Sequence, residues 1–230
     1  MVTAYETLKS IAKIYAALFA KSQVHGYFPL PAGPKIIAAN HTIASDAFQL
    51  PLVVKEKLHF LAQANLFTLP ILGQLIRQAG QIPVEHGNNK GCLALKKACR
   101  LLRDGKTIVI FPEGRLVPPG ERIPARTGVI RMALQTGAPI IPLGMYVHPQ
   151  NITAFSIHRL GEKRSGLWQI SGRCHLNFGA PWKPHAPGHD AECVQSLADE
   201  LMNKIYAMVA ETEKELTCAS PALLSATPQP

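Results

Sequence analysis

Asn40 and His41 close the apolar run 36–39, and an aspartate follows five residues after the histidine, at Asp46. An aspartate bonded to one imidazole nitrogen fixes the tautomer and raises the basicity of the other, so such a pair can take a proton from a hydroxyl. The spacing sets a condition on the backbone. Residues five apart on a regular helix diverge by ~140°. The two side chains meet only if His41 stands in a turn after a strand and Asp46 in the first turn of the next helix, with Thr42 or Ser45 as cap. The chain has no Gly-x-Ser-x-Gly elbow, so the hydroxyl would belong to a substrate. A lone His–Asp pair also suits a structural histidine near a helix start.

Two further stretches repeat the design. "IVIFPEGRLVPPG" (108–120) ends an apolar run at Phe111 and continues into Pro112, Glu113, Gly114 and Arg115. Gly114 allows close backbone approach, and Arg115 offers a planar fork of donors suited to phosphate. "GQIPVEHGN" (80–88) is a third run that ends on polar residues, Glu85 and His86. Three neighbouring strand ends carrying His/Asp, Glu/Arg and Glu/His would make one cleft.

The elements that would hold these residues follow from periodicity. Apolar strands are expected at 35–39, 58–62, 81–85, 107–111 and 139–147, and helices near 46–56, 66–79, 89–104 and 127–136. This alternation predicts an α/β fold with a mostly parallel central sheet flanked by helices. In such sheets ligands bind beyond the carboxyl ends of the strands, which is where the polar residues fall. Residues 3–21 read as an amphipathic helix. Leu8, Ile11, Ala12, Tyr15, Leu18 and Phe19 share a face, and that face could cover a core or lie in a membrane interface. A Gly/Pro-rich linker follows at 26–34. "LWQISGRCHLNFG" (167–179) suggests one or two edge strands, and 190–215 a long helix.

The formal charge of +9 points to an anionic partner. Residues 85–135 carry most of it, with ten Lys or Arg against four Asp or Glu. Lys96, Lys97, Arg100 and Arg103 form a stripe on one predicted helix face, opposite Leu95, Ala98, Leu101 and Leu102. The five cysteines form no CxxC pair, which fits a reducing compartment and argues against a disulfide framework or a structural zinc site. Lys9 and Lys13 interrupt the N-terminal apolar run, so no signal peptide is expected. No apolar stretch reaches the ~20 residues a spanning helix needs.

With these motifs the chain resembles the glycerolipid acyltransferase family, the PlsC type. Asn40, His41 and Asp46 match its first motif, "GQIPVEH" its second, "FPEGR" its third, and "APIIPLGM" with Pro142 its fourth. "RTGVIRMALQTGAPIIPL" resembles the stretch between the third and fourth, with Arg126 and Gly128 where a basic residue and a glycine are usual. The resemblance implies that His41, oriented by Asp46, acts as general base on the free hydroxyl of a lysolipid. It implies that the alkoxide attacks the thioester of acyl-CoA or acyl carrier protein, and that backbone donors or the helix start hold the oxyanion. Asn40, Glu113, Gly114 and Arg115, with His86 and Arg126, would bind the acceptor. No metal or other cofactor is implied.

The implied substrate is lysophosphatidic acid, with another lysophospholipid or a lyso-aminolipid of the ornithine type as the alternative. Two departures touch that point: Arg115 directly follows Gly114, and the second motif ends in His86 rather than arginine. The implied location is peripheral, on the cytoplasmic face of a membrane. The expected organisation is an N-terminal amphipathic segment (1–29), an acyltransferase domain (30–216) and a disordered tail (217–230). The rival classes are a catalytically silent lipid-binding protein, which the intact His41, Asp46, Glu113 and Arg115 disfavour, and a nucleic-acid binder. The chain has few aromatics and no nucleic-acid motif to support the latter.

Overall fold

The computed structural model describes residues 3–85, 90–159, 162–186 and 190–219. Its elements are α1 (Ala4–Phe19), β1 (Lys21–Gly26), β2 (Lys35–Ala39), α2 (Asp46–Val53), β3 (Leu58–Gln63), α3 (Leu72–Gln78), β4 (Ile82–Val84) and α4 (Lys90–Arg103). They continue with β5 (Thr107–Ile110), α5 (Gly128–Thr136), β6 (Ile140–Val147), β7 (Ile152–Arg159), β8 (Glu162–Gln169), β9 (Arg173–Phe178) and α6 (Ala191–Ala219).

Seven strands form one sheet in the order β1-β9-β6-β2-β5-β3-β4. The stretch from β6 to β4 is parallel, as the apolar runs predict. β9 runs against β6, and β1 runs with β9. β2 is buried at every position. Its residues alternate between two cores: Ile36 and Ala38 on one face with Ile108 and Ile140, and Ile37 and Ala39 on the other with Val109 and Ile141. Helices α4, α5 and α6 cover the first face, and Leu50 of α2 with Val54 just after it joins the second. Lys96, Lys97, Arg100 and Arg103 of α4 stand in solvent, while Ala98 and Leu102 are buried. Gly137 ends α5 in the left-handed conformation (φ 70°) that glycine adopts freely.

Several expectations needed correction. The helix foreseen over 66–79 is a 3-10 turn (Ala64–Thr68) followed by the shorter α3. Pro70 disfavours helical backbone at Leu69, and Ile71 takes a positive φ of 63° to restart the chain. β9 is no edge strand, because β1 pairs along its outer side. β1 ("KSQVHG") has no apolar run to announce it, and its four central residues are half-buried. Residues 21–26 thus belong to the main sheet rather than to a separate N-terminal segment. β7 also went unforeseen; it pairs with β8 as a separate hairpin.

The apolar stripe of α1 is divided. Tyr5 and Ala12 are buried, whereas Ile11, Ile14, Leu18 and Phe19 are exposed. Helix α6 runs through Ala219, so the first three residues of the expected tail are helical; residues 220–230 lie outside the described residues. Among the described residues no helix is long and apolar enough to cross a membrane.

Candidate active site

The site lies where β2 and β5, neighbours in the sheet, reach their carboxyl ends. The chain leaves β2 at Asn40. Both polar ends of its buried amide bond the backbone of Met145 on β6: Nδ2 donates to the carbonyl at 2.9 Å, and Oδ1 accepts from the N–H at 2.7 Å. Nδ2 also donates to Thr42 Oγ1 at 3.3 Å. Asn40, expected to bind substrate, thus lines the cavity described below but has both amide hydrogens engaged by the scaffold.

His41 and Asp46 are arranged as the five-residue gap requires. His41 Nδ1 lies 3.1 Å from Asp46 Oδ2. A carboxylate can only accept, so the proton sits on Nδ1 and Nε2 presents its lone pair. The same Oδ2 accepts from the N–H groups of Thr42 at 2.9 Å and Ile43 at 3.0 Å. These three donors close the turn and fix the buried carboxylate. Ser45 makes no side-chain cap bond; its Oγ accepts from the N–H of Gln169 at 3.4 Å, tying the helix start to the β7–β8 hairpin. Ala44 N–H donates to Leu167 O on that hairpin at 2.8 Å. The N–H groups of Thr42, Ile43, Ala44 and Asp46 are all engaged within the scaffold.

The loop after β5 grips His41 from the other side. The His41 N–H donates to Glu113 Oε2 at 2.6 Å, and the His41 carbonyl accepts from Val117 N–H at 2.8 Å. Phe111 stacks on the imidazole, with ring centroids 4.0 Å apart and planes 14° from parallel. Glu113 is buried, and its second oxygen, Oε1, accepts from the Tyr206 hydroxyl of α6 at 2.7 Å. Burial pushes the Glu113 carboxyl above the usual carboxylate range, and the bonds from Tyr206 and the His41 N–H offset part of the rise. Burial and the bond to Glu113 push the Tyr206 phenol well up.

Gly114 takes a φ of 70° in the turn closed by its N–H to Phe111 O at 2.9 Å. The Arg126 side chain lies over it, in the space a Cβ would need. That contact is why this position takes glycine twice over, for conformation and for room. Arg115 and Arg126 are both exposed.

A cavity of about 380 Å³ opens beside Asp46. Asn40, Asp46 and Glu113 form one wall, Met145 and Tyr206 contribute from β6 and α6, and Arg122 stands in its lining. His41, Arg115 and Arg126 are not part of that lining. The Arg122 guanidinium sits 4.9 Å over the Tyr206 ring. Neither Arg122 nor Tyr206 was singled out from the sequence. Arg122 was passed over for the motif arginine seven residues earlier, and Tyr206 carries no local signal on its long helix.

Glu85, on the third strand end, stands apart from this cavity. β3 lies between β5 and β4. Glu85 lines a different depression, of about 870 Å³, with Arg77 and Lys97. His86, expected to bind the acceptor, lies outside the described residues. Among the described residues no group of three or more His, Cys, Asp or Glu is placed to hold a metal. A buried carboxylate that orients an imidazole and leaves its Nε2 free can deprotonate a bound hydroxyl.

Comparison with known proteins gives consistent results. The family described as Acyltransferase matches residues 21–146, more than half of the chain. A chloroplastic 1-acyl-sn-glycerol-3-phosphate acyltransferase of Brassica napus is 26% identical over 140 residues, covering 58% of this chain and 40% of the relative. The enzyme of that name from Bacillus subtilis is 26% identical over 140 residues, covering 60% and 69%. The one from Borreliella burgdorferi is 32% identical over 118 residues, covering 48% and 45%. The chain thus matches about two fifths of the plant relative's length. The crystal structure of the 1-acyl-sn-glycerophosphate (LPA) acyltransferase PlsC from Thermotoga maritima shares the fold. Its TM-score is 0.66 at 21% identity, over 91% of this chain and 79% of that one.

Proposed function

Since the chain belongs to the acyltransferase family, we propose that it moves a fatty acyl group from a thioester to the free hydroxyl of lysophosphatidic acid, forming phosphatidic acid. The observation that carries the reading is the His41 Nδ1–Asp46 Oδ2 contact of 3.1 Å, which leaves Nε2 as the free nitrogen of the imidazole. The names of the relatives supply the acceptor.

In this mechanism Nε2 takes the proton from the lysolipid hydroxyl as its oxygen attacks the thioester carbonyl. A C–O bond forms, the C–S bond of the tetrahedral intermediate breaks, and the imidazolium returns the proton to the leaving thiolate. Asp46 holds the imidazolium through its bond to Nδ1. The acceptor phosphate pairs with a guanidinium of the loop after β5. Arg122 is the candidate that lines the cavity, and Arg115 and Arg126 stand outside it. Coenzyme A or acyl carrier protein carries the acyl group.

The same reading puts the chain at the cytoplasmic surface of a membrane. Helices α1 and α3 pack together. They expose Ile11, Ile14 and Leu18 on one and Leu72 on the other, with Ile71 just before α3. Apolar side chains of this kind can enter the headgroup region while the helix stays on the surface.

The test is purified protein with a panel of lysolipid acceptors and acyl-CoA or acyl carrier protein, following thiol release and lipid product. Turnover with lysophosphatidic acid is expected. Turnover confined to another acceptor would replace the substrate, and none with any acceptor would overturn the reading.

A further inference from the structure

Glu113 is held at both oxygens, and the second hold comes from the last helix. We propose that Tyr206 is a positioning residue for acyl transfer: its hydroxyl fixes the Glu113 carboxylate that in turn fixes the backbone of His41. The proposal rests on the reading of His41 as general base.

The geometry forms a continuous chain. Tyr206 O–H donates to Oε1 at 2.7 Å, and Oε2 accepts the His41 N–H at 2.6 Å. A carboxylate bonded at both oxygens cannot swing about its terminal torsion; bonded at one, it can turn into the cavity. Tyr206 reaches it because α6 lies close on β6. Position 144 is glycine, and a Cβ there would fall 2.9 Å from Met208 Cβ. The ring is itself braced by the Arg122 guanidinium. None of this touches the imidazole, whose tautomer Asp46 sets separately. Tyr206 therefore governs where His41 stands, and Asp46 governs which nitrogen is free.

The charges around Glu113 decide what loss of the hydroxyl does. Asp46 on α2 opposes its ionisation, a protonated His41 favours it, and burial opposes it most. Arg122 stands beyond the Tyr206 ring, and Glu121 and Glu213 line the cavity. Without the hydroxyl, the carboxyl rises further and takes up a proton at higher pH. A neutral carboxyl is a weaker acceptor, so the hold on the His41 N–H slackens.

The experiment compares kcat and KM for lysophosphatidic acid across pH in the full chain, in Tyr206→Phe, in Glu113→Gln and in the double variant. Tyr206→Phe keeps the ring and its packing. Its kcat is expected to fall about tenfold or more, as loss of a hydrogen bond to a charged group implies. KM should stay within about threefold and the acid limb of kcat should move to higher pH. Added to Glu113→Gln, Tyr206→Phe should have little further effect, because both act through one carboxylate. Wild-type kcat and pH profile in Tyr206→Phe would overturn the proposal, as would a loss in KM alone, which is what a cavity wall gives.

A second readout needs no turnover. In isotope-labelled protein the His41 amide proton, shifted downfield by its carboxylate partner, should move upfield in Tyr206→Phe as the pH falls. An unchanged resonance would overturn the relay. If the wild type transfers no acyl group and the resonance still responds, the catalytic reading fails and the relay stands.

Discussion

The backbone N–H of His41 donates to Glu113 Oε2 at 2.6 Å across 72 residues of sequence. The motif that ends β5 therefore holds the motif that ends β2. The bond explains why a buried carboxylate follows an apolar strand here. It receives a main-chain donor that would otherwise be unpaired, and it fixes the histidine's backbone without touching the ring.

Glu113 carries a stability cost that depends on pH. Burial raises its carboxyl pKa above the unfolded value. A group raised on folding contributes stability that is full below the unfolded pKa, near 4.3, and is lost as pH rises through the folded value. Glu113→Gln removes the titration. The stability of Glu113→Gln relative to wild type should thus rise between acid and neutral pH, while transfer activity falls. Denaturant unfolding at the two pH values checks this; a difference that is flat or falls with pH contradicts it.

The arginines of the loop after β5 should separate by position. Arg122 lines the cavity, and Arg115 and Arg126 do not. Arg122→Ala is expected to raise KM for lysophosphatidic acid about tenfold or more, the range for losing a charge-assisted bond. Arg115→Ala and Arg126→Ala should change it less. Steady-state kinetics on the three variants decide it, and the reverse order would move the phosphate to the outer side of the loop.

Membrane attachment should follow the outward face of α1. Ile14 and Leu18 are 62% and 69% exposed, so Ile14→Glu with Leu18→Glu leaves the core intact. Co-sedimentation with vesicles containing anionic lipid should fall about tenfold or more, with turnover on a dispersed short-chain lysolipid kept. Undiminished sedimentation would exclude this face as the contact.

The sequence made the parallel strands and the site's first pair legible because both are local. Residues 36–39 and 108–110 are unbroken apolar runs, and a gap of five between His41 and Asp46 forces a strand–turn–helix. What stayed hidden depends on distant pairing. β1 is a polar strand that exists by its register with β9. Tyr206 matters only because Gly144 lets α6 approach β6. The split face of α1 could not be read from its periodicity either. Six residues at helical spacing look alike whether a half-buried Tyr15 meets Phe48 and Trp168 or Leu18 meets solvent. The separation of Glu85 from the other strand ends follows from strand order, which no local pattern encodes.

The most direct measurement of the central claim is thiol release and phosphatidic acid formation by wild type, His41→Ala and Asp46→Asn with lysophosphatidic acid and acyl-CoA. Loss of a general base implies a fall in kcat of about 10²–10⁴-fold in His41→Ala. Asp46→Asn should fall similarly, with unfolding curves showing that both variants stay folded. Wild-type turnover in folded His41→Ala would contradict the account.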